Sequence, residues 1–150
     1  MNITVRKGAV ADLEHIVRFQ IDMALESEGV ILKPESVVSG VKAALKDPSL
    51  GEYFVAEDEN GTVIGSLLVT KEWSDWNACS YWWIQSVYVA PSYRGRGIFT
   101  ALYNEVRRLA KEDGSSSLRL YVDKDNVRAQ STYSKIGMQQ SHYLMFEESL

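Results

Sequence analysis

Cysteine, histidine and proline are scarce in this sequence of 150 residues, which contains one cysteine, two histidines and three prolines. Because Cys79 stands alone, a scaffold held together by internal disulfides is excluded. His15 and His142 lack a second histidine, cysteine or carboxylate at metal-ligand spacing, so we predict no metal site. Cys79 has no activating motif and no Gly-x-Ser-x-Gly sequence occurs, which leaves covalent catalysis without support.

Positive charge is not in excess either. Sixteen Lys and Arg residues against twenty Asp and Glu residues give a net charge of −4, so we predict neither nucleic acid nor an anionic membrane as a partner. The N-terminal sequence MNITVRKGAV has no apolar run that could act as a signal peptide, and we therefore expect a cytoplasmic protein. Residues 76–93 carry no charge, but their Asn, Gln and Ser residues favour a buried strand flanked by loops over a membrane span.

The rest of the composition is that of an ordinary globular domain, with 45% hydrophobic and 24% charged residues. A chain of this length buries about 70% of the surface that its unfolded form exposes, which is enough for one core without a metal or a disulfide. The sequence contains no repeats, low-complexity tracts or linkers. We therefore predict a single domain over residues 1–150.

Hydrophobic periodicity and turn residues predict alternating strands and helices. Strands are predicted at residues 2–6, 53–57, 62–70, 80–89, 117–122 and 141–146, with a hairpin turn at Asn60-Gly61. Helices are predicted from Asp12 to Gly29, Pro34 to Pro48, Ile98 to Gly114 and Asn126 to Gly137. This order predicts an α+β fold of three layers, in which a largely antiparallel, twisted sheet has helices on both faces.

A strand, a glycine-rich turn and a helix follow one another in the middle of the chain. Residues 86–89 lead through a short segment into Arg94-Gly95-Arg96-Gly97 and directly into the helix that begins at Ile98. The first backbone N–H groups of a helix lack intrahelical partners and lie at its positive end, so they bind anions when no side chain blocks the approach. Gly95 and Gly97 leave the approach open, and Arg94 and Arg96 add charge that suits a diphosphate.

Other interpretations of this turn are less well supported by the sequence. A Walker loop is absent. A dinucleotide-binding fingerprint requires glycine at the position of Thr100, although Asp123 resembles its ribose-binding acid. RNA binding through the arginine-glycine repeat requires a basic surface, which the net charge does not provide. The alternative that this turn serves only to join the strand to the helix stays open.

Asn126 and Tyr133 lie seven residues apart, about two helical turns, so one helix face carries both side chains. Either residue can be structural, since asparagine is a common helix N-cap and tyrosine is often half-buried in a core. A ligand role is compatible with both.

These motifs together resemble the GNAT superfamily of N-acetyltransferases. Residues 87–98, VYVAPSYRGRGI, are similar to its acetyl-CoA signature, a strand followed by the turn Gln/Arg-x-x-Gly-x-Gly/Ala. Residues 125–138 are similar to its second signature, and the predicted order of elements resembles that of the family over nearly the whole chain. The sequence departs from the first signature at Phe99, where Gly or Ala is usual. Because Phe99 fits the apolar stripe of its helix, we expect the ring to point away from the diphosphate.

The resemblance implies an acyl-CoA N-acyltransferase fold, acetyl-CoA as acyl donor and an amine as acceptor. It assigns the pantetheine arm to the backbone of Val87, Tyr88 and Val89, and further cofactor contacts to Asn126 and Tyr133. It assigns the diphosphate to the turn and the start of the helix, namely Arg94, Gly95, Arg96, Gly97, Ile98, Phe99 and Thr100. It further implies direct attack of the amine on the thioester, an oxyanion contact from a strand N–H, and Tyr133 as the general acid.

The central strand offers no general base, because Gln85 stands where many relatives carry glutamate. Glu26 and Glu28, near the end of the first helix, are the candidates, since in the family's fold the segment between the first two helices helps to wall the acceptor pocket. A carboxylate there attracts a cationic amine and takes its proton through water. Both residues could instead be solvated surface acids. Glu72 and Asp75 are further candidates.

The tryptophans and the departures from the family pattern leave two questions open. Trp82 and Trp83 are adjacent on a strand and face opposite sides, so one of them should pack in the core. Trp73 and Trp76 either line a pocket for an apolar amine or lie at a homodimer interface. Phe99 and the missing strand glutamate motivate a second function, a non-catalytic module that binds acyl-CoA without turning it over.

Overall fold

Five strands form one sheet in the computed structural model, which describes residues 1–150. In sheet order they are β1 (Thr4–Lys7), β2 (Glu52–Glu57), β3 (Val63–Ser74), β4 (Cys79–Val89) and β5 (Leu118–Arg119). The first four strands pair antiparallel, whereas β5 runs parallel to β4 and pairs with it at two positions only. The sheet is therefore mixed and largely antiparallel, as predicted.

Four α-helices accompany the sheet, and local signals set their ends. They are α1 (Leu13–Glu28), α2 (Pro34–Lys46), α3 (Ile98–Glu112) and α4 (Val127–Lys135). Gly29 ends α1 in the left-handed conformation, with φ 65°, which glycine adopts without a steric penalty. Pro34 begins α2, where its fixed φ suits the first helical position. The four predicted helices are confirmed.

Hydrophobic side chains are buried on both faces of the sheet. On one face a single cluster joins α1 and α2 to the strands: Ile16, Phe19, Val41, Tyr53, Val55, Val63 and Tyr88. Phe54, which is 1% exposed, faces the opposite way because side chains alternate along β2. On that second face α3 lies against the sheet, and its Ile98 packs closely on Gly65 of β3. The prediction of helices on both faces is confirmed.

The hairpin of β3 and β4 is longer than predicted. Strand β3 runs on to Ser74, so Trp73 lies in a strand and the connecting turn holds residues 75–78. Trp73 and Trp76 are 65% and 91% exposed, whereas Trp82 is buried and Trp83 is half-buried. The prediction that one of the adjacent tryptophans packs in the core is confirmed. None of the helices has the length and apolar character needed to cross a bilayer.

The chain divides into two compact units, residues 1–120 and residues 121–150. The second unit contains α4, whose N-cap Asn126 accepts a hydrogen bond from the Ala129 N–H at 3.1 Å. The last two strand predictions fare differently. The strand predicted at 117–122 forms only over the two residues of β5, in the first unit, and the strand predicted at 141–146 is wrong. Alternating apolar residues indicate a strand only where a neighbour supplies backbone hydrogen bonds, and residues 143–146 are 65–91% exposed outside any ladder.

A carboxylate joins the first strand to the start of α1, and its removal should destabilise the protein. Asp12, 4% exposed, accepts hydrogen bonds from both terminal nitrogens of Arg6 at 2.8 and 2.9 Å and from the Ala9 N–H at 2.7 Å. Asp12→Ala is expected to lower the free energy of unfolding in urea by about 2 kcal/mol. Asp47→Ala, which removes an exposed carboxylate bonded only to nearby Ser49, should cost clearly less.

This effect should depend on pH. Hydrogen bonding to Arg6 holds the pKa of Asp12 below its usual value of 3.8. A lowered folded-state pKa stabilises the protein fully above that usual value, and the stabilisation is lost as pH falls through the folded-state pKa. The difference in unfolding free energy between the wild type and Asp12→Asn should therefore shrink as pH falls below about 4. An undiminished difference in acid would contradict this assignment.

Candidate active site

A bulge redirects the end of β4. Gln85 pairs with Leu68 and Tyr88 pairs with Ser66, so two residues of β4 face one residue of β3. Ser86 takes a left-handed conformation there, with φ 54°, which is unusual for a residue other than glycine. A backbone bulge of this kind bends a strand and increases its twist, often beside a functional site.

Beyond the bulge, one edge of β4 takes no part in a ladder with β5. Strand β5 pairs only with Trp82 and Trp83 of β4. The Ala90 N–H donates to the Ile64 carbonyl at 2.9 Å, so the N–H and C=O of the preceding residue, Val89, point away from β3. Because backbone direction alternates along a strand, Val87 and Val89 both face the edge of β4 that lies opposite β3, beyond the two positions paired with β5.

The turn after β4 has the geometry that the sequence predicts. Gly95 and Gly97 both have left-handed backbones, with φ of 76° and 80°. A Cβ at either position would have no atom within 4 Å, so the space in front of these residues is open. Gly97 is the N-cap of α3, and the Ala101 N–H makes the first helical hydrogen bond to its carbonyl at 3.0 Å. The earlier amides of α3 precede this bond and can face an anion.

Phe99, which stands where the family signature usually has Gly or Ala, has its side chain along its own helix. The Phe99 ring packs against Tyr103, one turn further on, with 6.0 Å between centroids. Phe99 is half-buried, while Ile98 beside it is 2% exposed. This packing places the ring with the apolar stripe of α3.

Three side chains from distant parts of the chain meet beside this turn. Glu26 of α1 accepts a hydrogen bond from the Tyr88 hydroxyl at 3.0 Å and pairs with Arg94 Nη2 at 2.8 Å. Arg94 Nε donates to the Val89 carbonyl at 2.9 Å, and its guanidinium lies 5.2 Å from the Tyr88 ring centroid. The Phe19 ring also packs against the Tyr88 ring, with 5.2 Å between centroids. We name Glu26, Tyr88 and Arg94 the α1–β4 network.

This network changes the chemistry expected of Glu26. The hydrogen bond from Arg94 lowers the pKa of Glu26, and the Tyr88 hydroxyl adds to the effect. A carboxylate with a lowered pKa is a weaker base but stays negatively charged, which suits the binding of a cation. Burial, reinforced by Glu26, raises the pKa of Tyr88 and keeps its phenol protonated. Glu28 lies exposed at the same end of α1.

The face of β3 and β4 that carries Gln85 holds a second set of polar contacts. Gln85 Nε2 donates to Thr70 Oγ1 at 2.7 Å. Further along, Glu72 accepts a hydrogen bond from Trp83 Nε1 at 2.8 Å and lies 3.7 Å from Arg119 of β5. Glu72, a further candidate base, is thus held on the sheet face by one hydrogen bond and one ion pair, while Asp75 is exposed in the turn after β3.

The remaining candidates, Asn126 and Tyr133, both belong to the second unit. Asn126 caps α4, which is one of the two roles that the sequence left open. Tyr133 is half-buried, and burial raises its pKa above the usual value of 10, so its phenol is protonated at neutral pH. The other candidates lie in the first unit, where the structure brings Glu26 together with Val89 and the turn.

Comparison with known proteins decides the family. The model of the acetyltransferase (GNAT) family matches residues 19–138, a range that includes the glycine turn and α4. The chain belongs to this family. A crystal structure described as that of a possible acetyltransferase from Clostridium difficile 630 is 36% identical, and the match covers 100% of this chain and 99% of that chain, with a TM-score of 0.93. The predicted resemblance and fold are confirmed.

Curated relatives match a shorter range of the chain. A thialysine N-epsilon-acetyltransferase from Bos taurus is 34% identical over 83 residues, which are 55% of this chain and 48% of the relative. An uncharacterized N-acetyltransferase from Methanocaldococcus jannaschii is 33% identical over 89 residues, or 59% of this chain and 39% of the relative. The chain thus spans about half the length, or less, of the curated relatives that it matches.

Proposed function

We propose that this GNAT protein is an acetyl-CoA-dependent N-acetyltransferase that acts on the primary amine of a small molecule or peptide. The observation that carries the proposal is the pair of left-handed glycines with open faces before α3, directly after the part of β4 that does not pair with β5. The relatives named as N-acetyltransferases support the reaction type. The thialysine enzymes among them support an unhindered side-chain amine as the acceptor class.

The residues of the site fit an acyl-CoA. Its pantetheine arm carries amides that can pair with the outward backbone of Val87 and Val89 in the manner of an added strand. Its diphosphate suits the amides between Gly95 and Thr100, where Arg96 adds positive charge. Asn126 and Tyr133 are the proposed contacts from α4. Acetyl-CoA supplies the activated acetyl group, and the protein supplies orientation, charge and proton transfer.

The proposed reaction is a direct attack within a complex of all three partners. The lone pair of the neutral amine forms a bond to the thioester carbonyl carbon, and the carbonyl oxygen gains negative charge. A backbone N–H of the strand segment 87–89 stabilises this oxyanion. The carbon–sulfur bond then breaks, and Tyr133 donates its phenol proton to the departing CoA thiolate.

The proton lost by the amine needs an acceptor. Glu26 and Glu28 are the proposed groups, acting at the end of α1. The lowered pKa of Glu26 favours a role in attracting the ammonium form of the acceptor, with the proton leaving through water. Glu28, exposed two residues further on, is the alternative base. The cytoplasmic location and a homodimer stay predictions of the sequence.

Acetyl-CoA should bind and should be turned over only when an amine is present. At about 100 times its dissociation constant, a ligand stabilises the folded state by roughly 2.7 kcal/mol, so the melting temperature should rise by several degrees. A thiol-release assay with a panel of alkyl diamines, amino acids and peptides should then detect free CoA. Stabilisation without thiol release from any amine would favour the non-catalytic binding module. Absence of both would contradict acyl-CoA binding itself.

A further inference from the structure

We propose that the Arg94 side chain moves from Glu26 to the acyl donor when the donor binds. This exchange releases the Glu26 carboxylate, which then binds the amine acceptor. The inference rests on the proposed function, since it assumes an acyl-CoA donor and an amine acceptor. It assigns to Glu26 the recognition of the acceptor's cationic form and to Arg94 the control of when that recognition is available.

The first step of the argument is the position of the Val89 carbonyl. It points to the edge of β4 that faces away from β3, and Arg94 Nε donates to it there at 2.9 Å. A donor arm that adds to this edge as a strand meets the guanidinium at the same carbonyl. The arm and Arg94 therefore compete for one stretch of β4.

The second step is that Arg94 holds Val89 and Glu26 with one rigid group. Nε donates to the carbonyl of Val89, and Nη2 donates to Glu26 Oε2 at 2.8 Å. A guanidinium is planar, so its nitrogens move together. Displacement of Nε from Val89 thus also draws Nη2 away from Glu26.

The third step is that the exchange costs little. The side chains of Arg94 and Glu26 are 41% and 44% exposed, and ion pairs so open to solvent contribute little to stability. Arg94 is also the first residue of the glycine turn, so a diphosphate at the amides of Gly95 and Gly97 offers the displaced guanidinium a new anion.

The fourth step is the state of the Glu26 carboxylate after Arg94 has moved away. Tyr88 is buried, and its hydroxyl holds Glu26 Oε1 at 3.0 Å, so the carboxylate keeps its position when Arg94 leaves. Its second oxygen, Oε2, then accepts a hydrogen bond from an ammonium group. The donor consequently prepares the acceptor site, and the two substrates bind with positive coupling.

The test is Glu26→Gln, measured separately for each substrate. Because the neutral amide holds Arg94 less strongly, the dissociation constant of CoA by calorimetry should fall about two- to fivefold. Because the amide binds a cation less strongly, the KM of the amine should rise about tenfold or more. Opposite shifts for the two substrates are the expected signature.

Two controls separate exchange from a general charge effect. Glu28→Gln removes the same charge from the same helix end without touching Arg94, and it should leave CoA affinity nearly unchanged. In an Arg94→Gln background, Glu26→Gln should no longer tighten CoA binding. Equal tightening by Glu28→Gln, tightening that persists without Arg94, or unchanged CoA affinity in Glu26→Gln would each overturn the exchange. Failure of the wild type to bind CoA would instead overturn the proposed function.

Discussion

Tyr133→Phe should lower kcat about 100-fold and leave the affinity for acetyl-CoA almost unchanged. The variant keeps the ring and its packing but removes the proton that the departing CoA thiolate needs. Burial raises the pKa of Tyr133 above its usual value of 10, so the phenol is protonated across the neutral range. Steady-state kinetics with the best amine of the panel, together with calorimetry of CoA binding, would measure both quantities.

Tyr143→Phe is a matched control for this prediction. Tyr143 lies in the same unit of the chain and is 65% exposed, and we assign it no role in the reaction. Its variant should retain the wild-type kcat. If Tyr133→Phe also keeps the wild-type kcat, Tyr133 is a structural residue and the thiolate leaves without its help.

Gly97→Glu should abolish acetyl-CoA binding while the protein remains folded. The substitution places a carboxylate in the open space before the first amides of α3, where the diphosphate is proposed to lie. It also imposes a left-handed backbone on a residue with a Cβ, which costs about 1–2 kcal/mol. The thermal shift with acetyl-CoA should vanish, and turnover with it.

Gly114→Glu separates loss of binding from backbone strain. Gly114 has nearly the same φ as Gly97, 79° against 80°, and a Cβ there also meets nothing within 4 Å. It lies just beyond the other end of α3, so its variant should be destabilised to a similar degree and still bind acetyl-CoA. Normal binding by a folded Gly97→Glu protein would show that the glycine turn does not hold the diphosphate.

The helices and the glycine turn could be predicted because their signals are local. Pro34 and Gly29 mark helix ends through their own backbone preferences, and the apolar stripe of α3 matches its buried face. The turn at Arg94–Gly97 needs only glycine at its left-handed positions. Such features depend on a few neighbouring residues and can be recognised in one sequence.

The features that the sequence did not reveal depend on distant partners. Residues 141–146 alternate like a strand, but no neighbouring strand completes a ladder, and the pattern alone cannot supply one. The bulge at Ser86 arises from the register of β3 against β4, and no glycine in the sequence marks its position. Strand prediction therefore failed where pairing, rather than composition, decides the outcome.

The hydrogen-bond partners of Glu26 could not be predicted from the sequence either. Its ion pair with Arg94 joins residues 68 positions apart, and its bond from Tyr88 joins residues 62 apart. Spacing along the sequence identified Glu26 as a carboxylate near the end of a helix but said nothing of its partners. In the structure Glu26 has two hydrogen-bond donors and a lowered pKa, and these support the proposed role of binding a cation.

The most direct test of the central claim is the transfer of a labelled acetyl group. Acetyl-CoA labelled in the acetyl group is incubated with the wild-type protein and amines such as thialysine, and the products are analysed by mass spectrometry. We predict a labelled amide on the amine nitrogen, formed in the same amount as free CoA and absent with Gly97→Glu. A wild-type protein that binds acetyl-CoA but forms no labelled amide with any amine would contradict the assignment as an N-acetyltransferase.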